Sequence, residues 1–196
     1  MGSTELLGLI TFGIAGSGSP GPNNALLLAS GLRFGFKRTV PHVMGAAAGV
    51  GAMVIAVAAG VGTLFDSIPV AHLTLKVLGS AYLLYLAIRL TSSGTIEEKS
   101  TAKPLNSWEA AVFQFVNPKA WIFAIAVVAF APPALPALMG GLLISLILVV
   151  VMMGTFASWA LGGAALSSLL TNQRAVRAVN VTLAVLLVAS VGLLWI

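Results

Sequence analysis

Gly18-Ser19-Pro20-Gly21-Pro22-Asn23-Asn24 interrupts an otherwise apolar run that extends from residue 4 to residue 32. Each proline removes a backbone N–H and clashes with the turn before it, so two prolines around a glycine leave several carbonyls without intrahelical partners. About 15 apolar residues precede the break and about 8 follow it. Neither stretch reaches the ~20 residues that cross a ~30 Å hydrocarbon core, and the run reads as one membrane helix broken inside the bilayer. In hydrocarbon an unpaired carbonyl is costly unless protein or water satisfies it. The broken part should therefore line a polar cavity, with Ser17, Ser19, Asn23 and Asn24 as its donors and acceptors.

The rest of the chain agrees with a membrane reading. Of 196 residues 59% are hydrophobic and 8% charged, against about 45–50% and about 25% in a soluble domain. Ten basic and five acidic residues cannot cover the surface of a folded chain of this size. Six apolar runs can each span once: 4–32, 41–64, 70–90, 108–131, 137–161 and 175–196. The expected fold is an all-α integral membrane protein of six transmembrane helices in a lipid bilayer, with no soluble domain. Glu5 stands where a secretory signal would carry basic residues, so the start is not read as one. With no cysteine, and with His42 and His72 the only histidines, no metal site is expected.

The longest polar stretch, Thr91 to Ser107, holds Glu97, Glu98, Lys99, Lys103 and Pro104. It divides one membrane domain, 1–196, into a block 1–92, a cytoplasmic loop 93–107 and a block 108–196. Eight of the ten basic residues lie in or beside inter-helix loops, so the net charge of +5 reads as orientation and not as a nucleic-acid surface. Arg33, Lys37 and Arg38 mark the first loop, Arg89, Lys99 and Lys103 the third, and Arg174 and Arg177 the fifth. Lysine and arginine stay on the cytoplasmic side, which places both termini outside. Because three spans are an odd number, the second block enters from the opposite side. Homologous blocks would then form an inverted repeat.

A second break supports that repeat. The fourth run is interrupted by Gln114-Phe115-Val116-Asn117-Pro118-Lys119, and Pro118 follows Pro22 by 96 residues. Paired interruptions in corresponding helices point to the midplane binding site of a transporter. A helix restarting after Pro22 offers free N–H groups and a positive dipole end to an anion such as a carboxylate. Lys119 lies about eleven residues into its run, and an ammonium at that depth is a functional hypothesis by default. Its partner is a substrate carboxylate or the freed carbonyls. The competing readings are a snorkelling side chain, as for Lys76, and a structural pairing with the other broken helix.

Ser19, Pro20, Gly21, Pro22, Asn23, Asn24, Asn117, Pro118 and Lys119 are thus the candidate substrate-binding set. Gly31 and Gly35, and Gly45 and Gly49, are four apart, the spacing that lets membrane helices approach closely. They read as packing within the fold, with a homodimer seam as the other use. No carboxylate sits in mid-membrane, and no paired carboxylates, Ser/His/Asp set or phosphate loop appears. Neither an enzyme nor a cofactor is expected.

The Ser19-Pro20-Gly21-Pro22-Asn23 break, the glycines at 31, 35, 45 and 49, the run Leu78-Gly79-Ser80-Ala81-Tyr82-Leu83-Leu84-Tyr85-Leu86 and Asn117-Pro118-Lys119-Ala120 together resemble the lysine exporter (LysE) family of bacterial amino-acid exporters. That family also includes homoserine and threonine exporters. The resemblance covers the first four spans by motif and the last two by hydropathy. It departs where such proteins often carry Phe-Pro-Gln, since this chain reads Phe130-Ala131-Pro132-Pro133. The resemblance implies export of amino acids or close relatives from the cytoplasm across the bacterial inner membrane, driven by the proton gradient. His42, Lys119 and Tyr82 are the candidates for carrying the proton. The rival readings are a passive channel for a small polar solute and an efflux carrier for an inorganic ion.

Overall fold

Proline and glycine set the helix boundaries in the computed structural model, which describes residues 1–61, 69–92, 103–170, 172–192 and 195. The helices are α1 (Ser3–Gly18), α2 (Pro22–Phe34), α3 (Phe36–Ala58), α4 (Pro69–Ser92), α5 (Ser107–Phe115), α6 (Pro118–Val127), α7 (Ala137–Leu169) and α8 (Gln173–Gly192), with a 3₁₀ turn at Val128–Phe130 after α6. All regular structure among the described residues is helical. By length and composition α3, α7 and Arg174–Gly192 of α8 can each cross a membrane, and Ser107–Phe115 with Pro118–Phe130 forms a further candidate span bent by 75°.

Both breaks are narrower than the sequence suggests. Only residues 19–21 leave the helix at the first and residues 116–117 at the second. Pro22 and Pro118 each occupy the first turn of the following helix, where the missing N–H costs nothing and the fixed φ is already helical. Asn23, Asn24 and Lys119 are consequently helix residues, held at fixed angles, and not loop residues. The expected first loop is also helical. α2 and α3 run through residues 33–40 and meet at Gly35 alone, with φ 76°, a backbone region that only glycine enters cheaply. Arg33, Lys37 and Arg38 sit exposed on the two helix ends. The fifth helix runs to Leu169 instead of 161, since the stretch after it contains no proline. Residues 93–102 of the third loop, with Glu97, Glu98 and Lys99, and Asp66 of the second, lie outside the described residues. The start of α5 is capped reciprocally: Glu109 N–H donates to Asn106 Oδ1 at 2.9 Å and Asn106 N–H to Glu109 Oε2 at 2.9 Å, a capping box.

α7 is the mast of the fold. Its 33 residues span about 50 Å at 1.5 Å per residue, and Ile144, Leu148, Met152, Phe156 and Ala160 form a buried stripe along it. Leu9 of α1, Leu27 of α2, Val50 and Met53 of α3, and Phe123 of α6 pack in the same core. A second core joins Leu26 of α2, Leu83 of α4, Phe113 of α5 and Leu187 of α8. On the outside, Ile88, Ile122, Leu146 and Val150 are each at least 65% exposed, an apolar exterior suited to lipid.

Glycine decides how closely these helices approach. A Cβ at Gly31 would overlap the Ala160 carbonyl of α7, and one at Gly163 would overlap the Leu28 carbonyl of α2, so the two glycines open a reciprocal contact. Gly45 and Gly49 lie against the backbone of Ser107 and Ala111 in α5. Gly35 has nothing within 4 Å, and its work is the joint between α2 and α3. Gly31→Val should therefore force α2 from α7 and destabilise the purified protein by at least the ~1–3 kcal/mol of core overpacking. Gly162→Ala, which meets nothing within 4 Å, should leave the thermal midpoint unchanged; equal midpoints for the two variants would refute the contact.

Candidate functional site

The two breaks lie against each other. Around the first, each carbonyl that the interruption frees is taken up. The Ala15 carbonyl accepts the Ser19 N–H at 3.1 Å, and the Gly16 carbonyl accepts the Ser19 hydroxyl at 2.9 Å. Trp159 of α7 donates its indole N–H to Gly18 O at 3.0 Å. Asn24 donates to Ser17 O at 2.7 Å and to Ser19 O at 2.8 Å. Lys119, from the second break, places Nζ 2.5 Å from Ser19 O and 3.1 Å from Pro20 O. Gly21 O accepts Ala25 N–H at 2.9 Å and starts the next helix.

Of the partners left open for Lys119 by its sequence position, the structure shows the carbonyls of the other broken helix. Its stem passes over Gly21, where a Cβ would stand 2.7 Å from Lys119 Cδ. A side chain there would crowd that stem, while its φ of 173° is ordinary extended backbone.

Four carboxamides form a row beside the ammonium. Asn117 Nδ2 donates to Gln114 Oε1 at 3.2 Å, Gln114 Nε2 to Asn23 Oδ1 at 3.0 Å, and Asn23 Nδ2 to Asn24 Oδ1 at 3.4 Å. Every donor points toward the first break. Both ends fix that polarity, because Asn117 Oδ1 accepts the Lys119 N–H at 3.2 Å as the cap of α6 and Asn24 Nδ2 must serve two carbonyls. All four side chains are at most 5% exposed, and such a connected buried network holds its members in one geometry. Ser17 donates to Gly13 O at 2.6 Å, and its hydroxyl is hydrogen-bonded to that of Thr155 of α7 at 2.7 Å.

These groups surround a cavity of about 30 Å³ whose apolar wall is Val50, Phe123, Met152 and Phe156. The polar wall is Ser17, Asn23, Asn24, Gln114, Asn117 and Lys119. That volume suits one or two waters and is too small for an amino acid. Of the candidate set, Ser19, Gly21, Asn23, Asn24, Asn117 and Lys119 converge. Pro20 contributes its carbonyl, and Pro22 and Pro118 start the half-helices. Gln114, quoted in the second break but not singled out, proves central, and a carboxamide inside an apolar helix was the signal for it. Trp159 and Thr155 had no comparable signal.

Residues 14–195 match the LysE type translocator family, and the chain belongs to it. It is 33% identical over 192 residues, 96% of each chain, to the cysteine/O-acetylserine efflux proteins of Escherichia coli strains HS and K12. It is 34% identical over 174 residues, 87% of each chain, to the Shigella flexneri protein of the same name. No solved structure matches it. The family consists of bacterial membrane translocators and not enzymes, and its members move amino acids outward.

The row's polarity makes Asn24 sensitive to charge. Asn24→Asp would set a carboxylate against two carbonyl oxygens and leave Ser17 O without its donor, at about 1–3 kcal/mol, while Ser19 O keeps Lys119. The thermal midpoint in detergent should fall well below that of Ser19→Ala, which removes one hydroxyl bond. Equal stability of the two variants would contradict the bonding described.

Proposed function

We propose that the protein exports a small neutral α-amino acid or a close derivative from the cytoplasm, by alternating access and in exchange for protons. The observation that carries this reading is the Lys119 ammonium resting on the Ser19 and Pro20 carbonyls beside the carboxamide row. An entering zwitterion can trade partners with it. Its carboxylate takes the ammonium together with the first N–H groups of α2, which have no acceptor within their own helix. Its ammonium takes the two carbonyls that Lys119 leaves. The exchange conserves charge, so neither the site nor the substrate is left with an unpaired ion in a medium where that is expensive.

Side-chain selectivity follows from the walls. Val50, Phe123, Met152 and Phe156 are apolar, and no carboxylate lines the cavity among the described residues. A cationic side chain would lack a counter-ion there. The relatives' names, which specify cysteine and O-acetylserine, agree with a short uncharged side chain.

In this reading α1–α2, α3 and α4 form one three-span repeat and the bent α5–α6 unit, α7 and α8 form the other, inverted in the membrane. The exposed cations Arg33, Lys37 and Arg38 mark the cytoplasmic end and both termini lie in the periplasm. Rocking of the repeats would open the closed cavity to either side in turn.

Counterflow in proteoliposomes with labelled amino acids tests the reading. Saturable counterflow of cysteine and similarly small neutral amino acids is expected, lost in Lys119→Ala and Pro22→Ala although both variants insert in the membrane. N-acetyl and carboxamide analogues, each missing one charge, should compete at least about tenfold more weakly, as loss of a charged hydrogen bond of ~1.5–3 kcal/mol requires. Wild-type rates from Lys119→Ala would remove the site assignment.

A further inference from the structure

His42 lies outside this cavity and is the one group among the described residues whose buried side-chain atoms have no partner. It is 1% exposed, and neither Nδ1 nor Nε2 is hydrogen-bonded. Its nearest hydroxyl neighbour along the helix, Thr39, is already bonded to Ser30 Oγ at 2.9 Å and to Gly35 O at 2.9 Å. An imidazole in this position pays the desolvation of two polar atoms and recovers nothing, although leucine or valine would fill the same place. Every carbonyl freed at the first break is matched, so a buried orphan on α3 calls for a partner acquired in another state.

The position of His42 names the surface that must open. His42, Gly45 and Gly49 fall at i, i+3 and i+7, one face of α3, and that face meets the backbone of α5 at Ser107 and Ala111. Glycine against backbone makes this seam one of close van der Waals contact. Charges on the surrounding elements do not compensate an imidazolium. Lys37 and Arg38 on α3 and Arg33 on α2 are exposed cations, and Lys119 on α6 is spent on Ser19 and Pro20. Glu109 on α5 is exposed and caps its own helix, while α7 carries no charged residue.

We propose that His42 is the proton-binding residue of the transport cycle, neutral while the α3–α5 seam is closed and protonated when the seam opens to water. With no anion beside it, the closed state rejects the charged form, because burying an unpaired ion is far costlier than burying the neutral ring. Proton binding and seam opening therefore favour each other, a reciprocal coupling between two events at one helix face. The inference rests on the transport reading above and adds to it the site where the proton is held.

Wild type and His42→Gln are compared in proteoliposomes with labelled cysteine in two assays. Counterflow needs no net proton movement and should stay within about twofold, whereas uptake driven by an imposed pH gradient should fall at least about tenfold, since glutamine cannot titrate. Gradient-driven uptake by His42→Gln at the wild-type rate overturns the proposal. So does wild-type counterflow that shows no gradient-driven component. Absence of counterflow in wild type overturns the transport reading and this inference with it. Should His42→Gln fail to fold, a pH dye in lightly buffered detergent reads protons exchanged when cysteine is added to wild type. A pH-dependent proton change near neutrality is expected, and none across pH 5–8 overturns the proposal.

Discussion

A membrane interior permits no unpaired carbonyl, and the architecture around residues 19–21 is organised by that constraint. Two prolines and a glycine stop α1 and restart α2 within three residues, leaving Gly16, Ser17, Gly18, Ser19 and Pro20 without the helix bonds they would otherwise make. The replacements come from four elements: a hydroxyl of the break, a carboxamide of α2, an indole of α7 and an ammonium of α6. Long-range packing is thereby specified by a local defect. α7 must present Trp159 and α6 must present Lys119, or the break is untenable. A continuous helix at this place would need none of these contacts and would offer no polar surface to a solute.

Glycine supplies the complementary condition. The donors reach the break only if α2 and α7 come within backbone contact, which Gly31 and Gly163 allow from opposite sides. The α3–α5 seam uses Gly45 and Gly49 in the same way, but from one side only. In lipid there is no hydrophobic drive between helices, so close van der Waals contact and hydrogen bonds hold such seams. A seam anchored by hydrogen-bonded side chains is fixed, and α2–α7 lies beside the Trp159 and Thr155 bonds. The α3–α5 seam is glycine on bare backbone, and His42 lies on the same face of α3.

Much of this was legible in the chain because the decisive residues carry strong local rules. Proline at 20, 22 and 118 interrupts a helix whatever surrounds it, and Lys119 in an apolar run demands a partner. Helix positions followed from hydropathy, while their ends did not: Gly35 turns the chain in a single residue where the basic cluster suggested a loop. Lys119's partner was open because an ammonium donates to a carboxylate or a carbonyl equally well, and only the placement of the two breaks decides. Trp159 and Thr155 could not be found, since α7 is apolar around its whole circumference and shows no stripe to say which face meets α1. His42 was visible as a titratable residue. That both its nitrogens are unpaired is a property of packing alone.

In the proposed exchange, lysine at 119 suits a site that has to release what it binds. An ammonium has three donors, and the two carbonyls here use two of them. The flexible stem can swing without moving backbone, whereas the planar fork of arginine would lock both carbonyls in a fixed geometry. A neutral asparagine could satisfy the carbonyls equally well, yet it would offer no charge to a carboxylate. Gly21 keeps the path of the stem clear, since any side chain there would meet Lys119 Cδ. In the proposed exchange, the contact that holds the break together is one that a zwitterion replaces group for group. A bond network complete without substrate and complete with it has little to lose at either end of the cycle, which a carrier that must release what it binds requires.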